Sequence, residues 1–86
     1  MTIRYHKRFL KTFPKLPGKI QEKFFERLDL FQREPLHHLL HNHSVEPAYP
    51  NWRSINITGD YRALYEVQKE GLVIFMKIGT HSELYG

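Results

Sequence analysis

Trp52-Arg53-Ser54-Ile55-Asn56-Ile57, Tyr61 to Gln68 and Leu72 to Ile78 are the three stretches whose reading decides the fold. Their side chains follow a period of two, the pattern of strands lying against a core. Thr58-Gly59-Asp60 and Lys69-Glu70-Gly71 separate them as hairpin turns do, so the three segments form an antiparallel meander.

Upstream of the meander the period changes. Ile20, Phe24, Leu28 and Phe31 recur at i, i+4, i+8 and i+11, and Pro17 stands where a first helical turn tolerates proline. The spacing predicts an amphipathic helix from Pro17 to Arg33, with Lys19, Glu22, Lys23, Glu26 and Arg27 on its solvated side. Phe9, Leu10 and Phe13 predict a shorter helix over Lys7 to Phe13, ended by Pro14. Thr2 to Tyr5 leans toward a strand and is free to join the sheet's edge. Between helix and meander, Glu34 to Asn51 carries Pro35, Pro47 and Pro50 and reads as an irregular connection with one helical turn at Leu36 to Leu40. A connection of that length in a small domain is functional or has structure of its own.

The fold class that follows is α+β: an N-terminal helical hairpin packed on a small twisted antiparallel sheet of three or four strands. The helix from Pro17 to Arg33 lies across one face and buries Ile20, Phe24, Leu28 and Phe31. Eighty-six residues support one core, so residues 1–86 are expected to form a single domain.

Composition narrows the function classes. With no cysteine there is neither a disulfide framework nor a thiolate zinc site, which fits a reducing cytoplasm. The apolar run Leu72 to Met76 is too short to span a bilayer, and the charged N-terminus does not suit a signal peptide, so a soluble cytoplasmic protein with no membrane partner is expected. Residues 1–33 carry nine Lys and Arg against three Asp and Glu, a local charge of +6 that the rest of the chain offsets by two. Such a basic third suits a nucleic acid or the ribosome, an acidic protein partner, or a solvated helix surface.

Four of the six histidines fall in His37-His38-Leu39-Leu40-His41-Asn42-His43. On a helix His37 and His41 would share a face, as metal ligands do, but no carboxylate stands at a third-ligand spacing; solvated loop histidines are the plainer reading. Asp60, Tyr61 and Arg62 follow a turn glycine, Lys77 ends the last strand and His81 lies just past it, so Arg62, Lys77 and His81 surround one concavity only if the strand register brings them together. Each alone is ordinary turn or strand-end chemistry. Together, an imidazole near two cations and a phenol is the set that metal-free RNA cleavage needs: proton transfer near neutral pH and stabilisation of a dianionic phosphorane.

Ile55-Asn56-Ile57-Thr58-Gly59-Asp60-Tyr61-Arg62-Ala63-Leu64-Tyr65, followed by Ile78-Gly79-Thr80-His81-Ser82-Glu83-Leu84-Tyr85, resembles the strand core and C-terminal ending of YafQ-like toxins in the RelE/ParE superfamily. Phe9-Leu10-Lys11, Lys15-Leu16-Pro17 and the ending Glu34-Pro35 are similar to that family's helical hairpin. The resemblance implies a RelE-like fold and a toxin of a type II toxin–antitoxin system, neutralised by a cognate antitoxin and meeting operator DNA only through it. In the ribonuclease branch it implies a ribosome-dependent mRNA endoribonuclease that inhibits translation, with ribosome and mRNA as partners and with no cofactor or metal.

Carried over position by position, His43 resembles the family's loop histidine that assists proton transfer, Asp60 its acidic residue after the turn, and His81 the histidine of its C-terminal motif. Tyr85 takes the place of an aromatic that holds the nucleotide; apart from the resemblance, Arg62 and Lys77, as strand-end cations, are expected to stabilise the charge of the transition state. Lys77 stands where YafQ itself has arginine, keeping the charge without the bidentate fork. Asn56 stands where YafQ has another histidine, which leaves the base open between His43 and Asp60. The superfamily's ParE branch poisons DNA gyrase on the same fold; a gyrase inhibitor or a catalytically weak relative is therefore the alternative, and His81 and Tyr85 favour the ribonuclease branch.

Overall fold

The computed structural model describes residues 1–86. In chain order the elements are β1 (Thr2–Tyr5), α1 (Lys7–Thr12), a 3₁₀ turn at Phe13–Lys15, α2 (Gly18–Arg33), a second 3₁₀ turn at His38–Leu40, β2 (His43–Ser44), β3 (Trp52–Asn56), β4 (Tyr61–Lys69), β5 (Leu72–Thr80) and α3 (His81–Tyr85). The α+β class and the helical hairpin are as expected. The sheet is larger: five strands in the order β1-β5-β4-β3-β2, with β1 parallel to β5 and every other pair antiparallel. Periodicity does not reveal the parallel pair, because a parallel partner needs a long crossover and here most of the chain lies between the two strands. The two-residue β2 is too short to carry a period.

Helix α2 buries Phe24 and Phe31 completely, while Ile20 and Leu28 are half-buried against the same core. Its ion pairs, Lys23–Glu26 at 3.5 Å and Arg33–Asp29 at 3.0 Å, are solvated i,i+3 and i,i+4 contacts that add little stability. Helix α1 is capped by the His6 imidazole, which accepts from the Arg8 N–H at 3.1 Å, and it drives Phe9 into the core.

Phe75 of β5 lies at the middle of this layer. Its ring meets Tyr5 from β1 (6.1 Å between centroids), Phe9 from α1 (5.9 Å), Phe24 and Phe31 from α2 (5.4 and 5.9 Å) and Tyr65 from β4 (5.8 Å). One side chain therefore joins both helices to three strands.

A β-bulge decides what the sheet's other face carries. Phe75 pairs with Tyr65 while Lys77 pairs with the adjacent Leu64, leaving Met76 as the extra residue. In a regular strand Phe75 and Lys77 would share a face; with the bulge Phe75 enters the helix-side core and Lys77 projects from the opposite face. There Leu64, Val45 and Leu84 form a second, smaller core, flanked by Tyr49 and Trp52.

The connection 34–51 is anchored at several points. Leu40 is fully buried, and Asn42 donates through Nδ2 to the Pro35 carbonyl at 2.9 Å and to the Tyr65 hydroxyl at 2.8 Å while its Oδ1 accepts from Arg53 Nε at 2.8 Å. The expected helical turn is the 3₁₀ turn at His38–Leu40, closed by His41 in the left-handed region at φ 46°.

Replacing Phe75 with alanine is expected to cost about 3–5 kcal/mol, the range for emptying a phenylalanine site in a core. That is a large share of the roughly 5–15 kcal/mol that holds such a domain folded. Urea denaturation with an unchanged m-value is the check.

Candidate active site

The second face is built in rows across the sheet. His43 of β2, Ser54 of β3, Leu64 of β4 and Lys77 of β5 are successive cross-strand partners, and Asn56, Arg62 and Gly79 form the next such row. Ser54 Oγ and Asn56 Oδ1 are buried there with no hydrogen-bond partner.

Helix α3 closes over the end of these rows. Its first turn is a capping box: Glu83 Oε1 accepts from the Thr80 N–H at 2.7 Å, and Thr80 Oγ1 accepts from the Glu83 N–H at 3.2 Å. The Thr80 backbone N–H, and after it the Thr80 side chain, hold the exposed Glu83 carboxyl below its ordinary value. A Cβ on Gly79 would come within 3.2 Å of Glu83 Oε1, so the small residue lets the carboxylate fold back. The His81 N–H donates to the Asp60 carbonyl at 3.1 Å, tying the helix to the β3–β4 turn.

This arrangement brings five of the six expected residues to one corner. The exposed His81 ring lies 4.8 Å from that of Tyr85. Desolvation raises the Tyr85 phenol above its ordinary value and the neighbouring Tyr49 adds to that, while the Arg62 charge and the Ser54 hydroxyl oppose it. Ser54, the smallest of these influences, makes no hydrogen bond to the phenol. Arg62 Nη1 donates to the carbonyls of Thr58, Gly59 and Tyr61 at 3.1–3.3 Å, which fixes the guanidinium against the turn. Asp60 is exposed and meets His81 through backbone. Lys77 lies against Tyr49, its Nζ 3.2 Å from the hydroxyl and 5.0 Å from the ring centroid. Neither Arg62 nor Lys77 is in an ion pair, since both of the chain's ion pairs lie on α2.

His43 is the sixth. It stands one strand beyond Ser54 and its ring faces His41 at 5.1 Å, without contact to the His81–Tyr85 pair. Its Nδ1 is 2.7 Å from the His41 carbonyl, an acceptor only, so Nδ1 is the donor there and Nε2 points away from that contact. His37 and His38 stack at 4.5 Å, and no group of three His, Cys, Asp or Glu side chains is placed to hold a metal ion.

Tyr49, Trp52 and Ser54 also belong to this corner and were not singled out from sequence. Tyr49 and Trp52 stack at 4.9 Å with their planes 3° apart, and Tyr49 meets Tyr85 at 5.9 Å. Two aromatics on either side of Pro50-Asn51 were the available signal.

Two substitutions probe the cap that presents His81 and Tyr85. Thr80→Ala should lower stability by about 1 kcal/mol, as loss of an N-cap does. Because the Glu83 carboxyl is depressed in the folded state, its stabilisation is complete above its ordinary value of 4.5 and is lost as pH falls through the lower folded value. Thermal melts of Glu83→Ala should therefore fall below wild type at pH 7 and converge with it in acid.

No curated protein sequence matches the chain. Among solved structures, YafQ from E. coli strain BL21(DE3) superposes with a TM-score of 0.80 at 24% identity, covering 98% of this chain and 97% of that one. A copper-bound mutant toxin from Helicobacter pylori gives 0.73 at 26% identity, covering 98% of both. The RelE of the RelB–RelE antitoxin–toxin complex from Methanococcus jannaschii gives 0.74 at 23%, covering 95% and 94%. These likenesses concern the fold. The model of the family described as ParE toxin of type II toxin–antitoxin system, parDE, matches residues 3–85, nearly the whole chain, and the chain belongs to that family of toxins within the RelE/ParE superfamily.

Proposed function

We propose that this toxin is a ribosome-dependent, metal-independent mRNA endoribonuclease. The observation that carries the reading is the pairing of His81 with Tyr85 at 4.8 Å, beside two cations that no carboxylate neutralises. An imidazole and an aromatic ring next to unpaired positive charge suit an RNA phosphate and the base attached to it.

In the proposed step the RNA 2′-oxygen loses its proton to a base and attacks the adjacent phosphorus. The bond to the 5′-oxygen of the next nucleotide breaks, and that oxygen takes a proton from the general acid. The products are a 2′,3′-cyclic phosphate and a 5′-hydroxyl. His81, exposed at the head of α3, is the acid. The base is His43 or Asp60: Asp60 lies beside His81 in the corner, while His43 stands outside it with its Nδ1 facing the His41 carbonyl. Arg62 and Lys77 stabilise the negative charge that builds on the phosphorane, and Tyr85 holds the nucleotide.

The partner that neutralises such a toxin is a cognate antitoxin. The exposed Leu10 and Phe25 support a docking segment, since with Tyr5, Phe9, Phe13 and Phe24 they line an apolar groove between α1 and α2, and Lys7 and Lys11 stand exposed on α1. An amphipathic segment with acidic flanks fits that surface and would fold on contact.

The gyrase-inhibitor reading is favoured by the family model itself, whose description names ParE. The two readings separate in one comparison: a translating extract supplied with mRNA and the toxin, with cleavage ends mapped, beside a DNA-supercoiling assay. RNA cleavage without gyrase inhibition is expected; the reverse result moves the protein to the gyrase branch.

His81→Ala should reduce cleavage by about 100- to 10,000-fold, the usual loss with a general acid. Folding and antitoxin binding should be unchanged, and EDTA at controlled free magnesium should leave the chemical step unaltered. Wild-type cleavage by His81→Ala would overturn the assignment. Phe25→Asp should weaken antitoxin co-purification by at least about 30-fold in affinity if the groove holds a hot spot, with the variant still cutting RNA.

A further inference from the structure

The mechanism just proposed leaves Tyr49 without a role, yet its side chain touches β3, β5 and α3 at once. Its hydroxyl donates to the Leu84 carbonyl in α3 and accepts from Lys77 Nζ at 3.2 Å, so both the proton and a lone pair of the phenol are engaged. Its ring stacks on Trp52 of β3 and meets Tyr85 edge-on, and the Lys77 ammonium also lies 5.0 Å from the ring centroid.

We infer that Tyr49 is a positioning residue, whose phenol holds the Lys77 ammonium and the C-terminal turn of α3 in one fixed relation. The inference rests on the ribonuclease reading. A lysine side chain is long and samples many rotamers when free, and Lys77 has no carboxylate to fix it. A neutral phenol orients the ammonium and leaves its charge unspent for a phosphate, which a carboxylate partner would not. Helix α3 has only five residues and cannot hold itself in place. Its N-terminus is held by the capping box and by Asp60, and its C-terminal turn by Leu84 packing and by the Tyr49 hydroxyl. Trp52 fixes the Tyr49 ring in turn, and its Nε1 donates to Glu66 Oε2 at 3.2 Å on the neighbouring strand. Tyr49 reaches the substrate through Lys77 and Tyr85 and takes part in no bond-making step.

The test is Tyr49→Phe, which keeps the stacked ring and removes one oxygen. In single-turnover cleavage of ribosome-bound mRNA the maximal rate should fall on the order of 100-fold, the scale of a displaced catalytic group, with half-saturation little changed. In a Lys77→Ala background the same substitution should cost clearly less than it does in wild type, because the part of its effect that runs through Lys77 is already lost. Full multiplication of the two losses, or wild-type rates in Tyr49→Phe, would overturn the inference. Amide hydrogen exchange read by NMR gives an answer independent of RNA. Residues 82–86 should exchange faster in Tyr49→Phe, with the protection of β4 and β5 unchanged; equal protection throughout overturns the positioning role. A wild-type protein that cuts no RNA rejects the ribonuclease reading alone, and the exchange data then decide for or against the contact itself.

Discussion

The single extra residue in β5 is the constraint on which both faces of the molecule depend. Met76 separates Phe75 and Lys77 by the ordinary two positions, but the bulge sends them to opposite sides of the sheet. Phe75 is then free to sit among five rings from β1, α1, α2 and β4. Lys77 emerges on the other side, clear of rings among which burying a charge would be prohibitive. The aromatic core therefore holds the helices on one face and, by the same backbone irregularity, presents a cation on the other.

The functional face consists of short pieces held by specific contacts. Helix α3, the β3–β4 turn and the connection around Tyr49 bury few residues of their own: on this face Leu84 and Val45 meet Leu64 of β4 in a core of three. Capping hydrogen bonds, the fastened Arg62 and the Tyr49 hydroxyl take the place of extensive packing. The corner is thereby kept polar and open while its aromatic rings stay in register. Lys77 and Arg62 are bound to neutral oxygens only, so the site meets an anion with its positive charge uncompensated.

Much of the fold was legible because local chemistry repeats along the chain. Ile20, Phe24, Leu28 and Phe31 mark the buried side of α2, and the turns around Gly59 and Gly71 separate β3, β4 and β5. The strand β2 was not legible, since two residues display no period, and neither was the parallel pairing of β1, which is set by contacts some seventy residues apart. In the candidate site, His81 and Tyr85 were legible as residue types, but the short helix α3 that brings them together at a four-residue spacing was not expected. Tyr49 and Ser54 carry no motif; Tyr49 sits in a proline-bearing connection, and Ser54 reads as an ordinary strand residue.

What the sequence by itself determined is the kind of element each segment forms, the apolar side each presents, and the residue types available for chemistry, because those properties follow from neighbours within a few positions. Tertiary structure alone decided which of those residues meet. The bulge that turns Lys77 away from Phe75 is visible only once β5 pairs with β4, since Leu72 to Met76 is apolar throughout and gives no alternation to read. The contact of Tyr49 with Lys77 and Leu84 joins positions 28 and 35 residues apart, and the His43 ring is oriented by a carbonyl held in place by the left-handed turn at His41. Such distances close only when the whole sheet has formed, because the entropy of bringing distant segments together is offset by burial shared across all the strands.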